Sequence, residues 1–192
     1  MKHVIPVALL TFALATTAFA GSIKGKVSGV TGESVVYVEA IAGKTFPAPT
    51  VKPVIDQKGL MFIPHIIAVE VGTTVEFLNS DSVAHNVFWI SISGNKKLGH
   101  NLGTWPKGQK QSFKFDNPGA VPLLCNVHPE MAAYIVVTPT PYFAVTDKSG
   151  EYKIDGVPDG SYTVTAWHEG AKNKSTPTTV AGEAKLDFTL SK

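Results

Sequence analysis

One seven-residue stretch constrains this chain more than any other: Cys125-Asn126-Val127-His128-Pro129-Glu130-Met131. It sets a thiolate, an imidazole and a thioether at C-x2-H-x2-M spacing. These donors are soft or borderline and suit copper, which cycles between a softer Cu(I) and a harder Cu(II). A copper site that passes single electrons wants two imidazoles, one thiolate and a weak axial thioether. The run supplies three of the four. The upstream segment Asn79-Ser80-Asp81-Ser82-Val83-Ala84-His85-Asn86-Val87 supplies a second imidazole. A chain that uses these residues together must fold so that a loop carrying His85 meets the loop carrying Cys125.

The pair of segments resembles the cupredoxins, the blue copper proteins of the plastocyanin, azurin and amicyanin kind. The C-x2-H-x2-M loop with Pro129 after the histidine is most similar to that of amicyanin. The resemblance implies His85, Cys125, His128 and Met131 as ligands of one mononuclear type 1 copper per chain. It also implies Asn86 as the residue tying the two loops together, and the edge of His128 as the electron exit. Two local departures concern residues beside the sulfur. Asn126 stands where Thr or Ser often follows the cysteine, and Leu124 where an aromatic residue is common.

The remaining histidines fit bland roles. His65, after Pro64, reads as a packed or hydrogen-bonded histidine. His100 falls in a Gly-rich loop and reads as solvated. His168 follows Trp167 near a strand end in a different part of the chain. Met61 is a further thioether outside the motif, and His3 leaves with a leader.

Cys125 is the sole cysteine, so no internal disulfide is possible. Residues 1–20 read as a secretory signal. Lys2 precedes an apolar run from Val4 to Ala15, and Ala18-Phe19-Ala20 forms an A-x-A cleavage site. The expectation is a periplasmic or otherwise exported protein. A lone thiol in an oxidising compartment needs protection, which metal coordination provides. No later stretch is long and apolar enough to span a bilayer as a helix, so no stable membrane insertion is expected.

The formal charge is +2, and every basic side chain other than histidine is lysine. A near-neutral chain without arginine is a poor nucleic-acid binder. No G-x-S-x-G, H-E-x-x-H or paired-carboxylate motif is present, so the chain is not expected to be an enzyme. The expected partners are a redox donor and an acceptor, with the chain itself a monomer.

Patterning points to all-β structure. Ser22–Ser28 alternates apolar and polar, and Ser34–Ala40 is a second strand candidate. Gly43–Pro53 reads as a linker. Short strand candidates follow at 62–69, 74–78, 86–92, 111–115, 121–125 and 132–138. They are separated by turns, and no segment holds a helical period. The tail, Tyr142–Leu190, resembles the later part of a carboxypeptidase-regulatory-like (transthyretin-like) domain. Its Thr146-Asp147-Lys148-Ser149-Gly150-Glu151-Tyr152 and Val157-Pro158-Asp159-Gly160-Ser161-Tyr162 elements carry the likeness. Residues 22–40 resemble the missing first part of that fold.

The expected organisation is therefore a signal peptide (1–20) and a discontinuous regulatory-like β-sandwich (21–48 and 140–192). A cupredoxin Greek-key β-sandwich (49–139) is inserted between its two parts. The alternative is tandem order, with 22–40 as additional cupredoxin strands. Exported proteins similar to the whole chain are often labelled methylamine-utilisation proteins. For function, the resemblance implies single-electron transfer between redox partners. Copper binding and delivery by the same ligands is the second reading.

Overall fold

A computed structural model describes residues 20–192 of the chain. The leader expected at 1–20 lies outside them except for Ala20, which opens the first strand. The strands are β1 (Ala20–Ser28), β2 (Val35–Val38), β3 (Val54–Gln57), β4 (Phe62–Ile63), β5 (Ile66–Glu70), β6 (Thr73–Asn79), β7 (His85–Trp89), β8 (His100–Trp105), β9 (Lys110–Phe115), β10 (Gly119–Leu124) and β11 (Ala132–Thr138). They continue with β12 (Phe143–Val145), β13 (Glu151–Pro158), β14 (Gly160–Trp167), β15 (Lys174–Val180), β16 (Glu183–Lys185) and β17 (Phe188–Thr189). Lys96–Leu98 is a single 3-10 turn.

Four sheets form two sandwiches. Strands β3 to β11 make one pair of sheets, ordered β4-β3-β6-β9 and β5-β11-β10-β7-β8. β6 shows why the sheets close face to face. Its burial alternates strictly, with Thr73, Val75, Phe77 and Asn79 inward. Phe77, Phe115, Val121, Leu123 and Ile135 are fully buried in the shared core, with Cys125 and Met131 at one end of it. Each such large apolar side chain contributes about 1.5–3 kcal/mol relative to exposure.

The other two sheets are ordered β13-β1-β16, with β17 also on β1, and β12-β2-β14-β15. Here β1 and β2 lie among strands from the C-terminal third. β1 pairs antiparallel with β13 from Ala20↔Pro158 to Lys26↔Glu151. β2 lies between β12 and β14. Ile23, Val36, Val38, Ile154, Val157 and Val164 fill this second core. We call this the outer module.

A third cluster joins the two sandwiches. Val35 and Trp167 from the outer module pack with Ile66 and Val136, and Tyr134 stacks on Trp167 with ring centroids 5.3 Å apart. Where the chain returns to the outer module, the Thr138 hydroxyl donates to Thr140 O at 2.9 Å. The Thr140 hydroxyl then donates to Val38 O at 2.7 Å.

Several local expectations change. The run 62–69 is not one strand, because β4 and β5 belong to different sheets and Pro64-His65 lies between them. The Gly-rich loop after β7 contains β8, which pairs with β7. His100 opens β8 and is exposed, in keeping with the solvated reading. Its ring lies 4.7 Å from Phe113 and 5.5 Å from Trp89, centroid to centroid.

Candidate metal centre

The ligand-type residues meet where β6, β7, β10 and β11 end. His85 is the first residue of β7 and its side chain is fully buried. Cys125 follows β10 directly, and Met131 precedes β11. These two strands pair in unbroken register from Gly119↔Val137 to Leu124↔Ala132. The seven-residue segment is therefore the loop of a β-hairpin, and its two ends are fixed. Within it the Met131 N–H donates to His128 O at 3.0 Å, closing a turn around Pro129.

One donor atom each from His85, Cys125 and His128 lie within 4.8 Å of one another, and no other cluster of this kind occurs among the described residues. The imidazoles face each other through Nδ1, 2.9 Å apart. Cys125 and Met131 are buried, at 3% and 1% exposure, while His128 is half-buried. The structure thus brings His85, Cys125 and His128 together and leaves Met131 buried at the end of the same loop. Met61 is 57% exposed and outside the cluster. His168 is buried elsewhere, with Nε2 on Thr31 O and Nδ1 accepting from the Gly170 N–H.

Neighbouring groups orient these side chains. The Asn86 N–H donates to Cys125 Sγ at 3.4 Å. The Asn86 side chain donates to Asn101 Oδ1 and Gly103 O, and its Oδ1 accepts a long 3.5 Å bond from the Asn126 N–H. Asn86 thus links β7, β8 and the Cys125 loop.

Asp81, which has no assigned role in the sequence, also orients the site. Its carboxylate accepts from His85 Nε2–H at 2.8 Å and from the N–H groups of Gly59 and Leu60, each at 2.9 Å. Those two residues have φ values of 64° and 58°, so the β3–β4 connection is a tight turn of the primed type. The Leu60 and Gly59 N–H groups, then His85, hold the Asp81 carboxyl at about 2. With Nε2 donating to Asp81, a neutral His85 ring has a bare lone pair at Nδ1, the atom that faces the other donors. A carboxylate four residues before the histidine was the available signal.

The donor chemistry fits copper. Two imidazole nitrogens and one thiol converge, with a buried thioether at the end of the same loop, and copper sites commonly ask for that set of donors.

Comparison with known proteins agrees. Residues 49–138 match the model of copper binding proteins of the plastocyanin/azurin family, and residues 129–191 match the carboxypeptidase regulatory-like domain. The chain thus combines a copper-binding domain of the plastocyanin/azurin family with a carboxypeptidase regulatory-like domain. Similar solved structures include an oxidised amicyanin mutant, at 26% identity and TM-score 0.41 over 45% of this chain and 81% of the other. A Cu(I) amicyanin mutant is 22% identical at TM-score 0.41, over 55% of this chain and 99% of that one. A copper-containing nitrite reductase from Thermus scotoductus is 25% identical at TM-score 0.42, over 52% of this chain and 25% of its own. No curated protein matches the chain.

Proposed function

We propose that this is an exported type 1 copper protein that passes single electrons between redox partners. His85, Cys125, His128 and Met131 would hold one copper ion, with Met131 as the weak axial donor. One observation carries the reading: donor atoms of His85, Cys125 and His128 lie within 4.8 Å of one another at the end of a packed β-sandwich. Copper bound by such a set alternates between Cu(I) and Cu(II) with little change in preferred geometry.

The chain's own residues supply rigidity and access. β10 and β11 fix the two ends of the ligand hairpin, and Asp81 and Asn86 fix the His85 side. The burial of Cys125 and Met131 keeps the sulfurs from solvent. His128 alone of the three clustered residues is half-buried, so its edge is the path to a partner. Around that end stand exposed apolar side chains, Val83 at 44%, Val127 at 48% and Leu60 at 42% exposure. Such a patch suits a transient protein partner.

We further propose that residues 21–48 and 140–192 form one domain with 49–139 inserted. The pairing of β1 with β13, β16 and β17, and of β2 with β12 and β14, supports this over tandem order. On this reading the outer module is a binding or scaffolding unit.

The test is the visible spectrum of the mature protein on addition of Cu(II), beside Cys125→Ser. The expected result is an intense thiolate-to-copper band in the red that the variant lacks. A colourless protein that binds only Cu(I) would overturn electron transfer in favour of copper delivery by the same residues.

A further inference from the structure

We infer that His65 is a positioning residue through which Glu169 of the outer module holds the exit of the Cys125–Met131 loop. His65 Nδ1 lies 3.1 Å from Ala132 O, and its Nε2 lies 3.0 Å from Glu169 Oε1. A backbone carbonyl and a carboxylate both only accept. The ring thus bridges the Glu169 carboxylate and the Ala132 carbonyl. The titratable groups set against the ring are Glu169 and Tyr134, whose ring meets it edge-on at 5.9 Å.

The position gives the pair its consequence. Ala132 is the first residue of β11 and follows Met131 directly. The Tyr134 N–H donates to His65 O at 2.8 Å, so backbone and side chain of His65 both grip the start of β11. Glu169 comes from the turn after β14, in the outer module. The chain of contacts Glu169–His65–Ala132 thus runs from one sandwich to the residue beside the thioether. Its bearing on the metal rests on the ligand assignment proposed above, but its geometry does not.

An exposed pair of this kind adds little to global stability. His65 is 46% and Glu169 35% exposed at the side chain. The expected effect is therefore local. In the metal-free, isotopically labelled protein, ring-nitrogen spectra of His65 are recorded at neutral pH. The Met131 methyl signal is recorded in parallel. The His65 ring-nitrogen signals are expected to differ between the wild-type protein and Glu169→Gln. The Met131 methyl should shift in step. Glu169→Asp should restore part of the wild-type pattern. Lys24→Gln, which breaks the distant Lys24–Glu183 pair, should leave both signals in place, and the melting temperature should barely move in any variant. Identical His65 nitrogen patterns in wild type and Glu169→Gln would overturn the inference. So would a Met131 signal that ignores the change at His65. None of these signals uses bound copper, so they stand or fall separately from the copper reading.

Discussion

Asp81 joins two structures with one carboxylate: the β3–β4 turn through Gly59 and Leu60, and the ring of His85. Its carboxyl is held at about 2 against an ordinary 3.8, so folding favours its charged form. The stability it confers is complete above the ordinary value and is lost as pH falls toward 2. Urea unfolding of the metal-free protein should therefore show Asp81→Asn less stable by about 1 kcal/mol near neutrality. That gap should close as pH approaches 2. On the ligand assignment proposed here, the same variant should bind copper at least about tenfold more weakly, since the histidine loses the partner that orients it. Competition with a Cu(I) chelator measures this. At this scale the sequence was legible where chemistry is rare. Cys125, His128 and His85 are conspicuous by type and spacing, and the structure gathers them. The role of Asp81 was not legible, because an aspartate in a polar loop is common, and His65 was legible as a hydrogen-bonded histidine but not by its partners. Their partners, Gly59, Leu60 and Glu169, come from elements that only the fold places nearby.

Among the elements, β1 is the most demanding. It runs between β13 and β16, and β17 also pairs with it. At Gly25 a Cβ would collide with the Leu186 carbonyl and meet Asp187 Oδ1 at 3.1 Å. The Leu186 N–H donates to Lys24 O at 2.9 Å, and the Lys26 N–H to Asp187 Oδ1 at 2.9 Å, so backbone holds this close approach on both sides. Gly25→Ala is expected to cost about 1–3 kcal/mol. Amide exchange should quicken along β1, β13 and β16, while any copper-dependent band from the other sandwich keeps its position. Unchanged exchange would mean that the Leu186 segment yields freely. Strands with clear alternation were readable in sequence, as at β1 and β9. Others were hidden. β8, His-Asn-Leu-Gly-Thr-Trp, has four exposed positions and a glycine, so it lacks the two-residue period and forms because β7 offers it an edge. β4 and β5 read as one apolar run because their sequence does not show that Pro64-His65 passes the chain from one sheet to the other.

Two cores and one seam make up the whole molecule. The seam is small and aromatic: Val35 and Trp167 against Ile66, Val136 and Tyr134. Trp167 is only 7% exposed there, so truncating it removes the largest side chain that the outer module contributes to the seam. The chain crosses between the modules twice, through the segment after β2 and again at Thr138–Thr140. In the proposed inserted arrangement, each module has its own core and the seam couples their unfolding. Copper stabilises only the state that binds it, so its effect reports which part of the molecule melts with the site. In the wild-type protein a single calorimetric transition is expected, moved upward as a whole by copper. Trp167→Ala should lose about 3 kcal/mol or more of packing and split the transition in two. Copper should then raise only the component that contains the β10–β11 hairpin. A Trp167→Ala protein that still melts once, with the full copper shift, would show that coupling runs through the chain crossings rather than the aromatic seam.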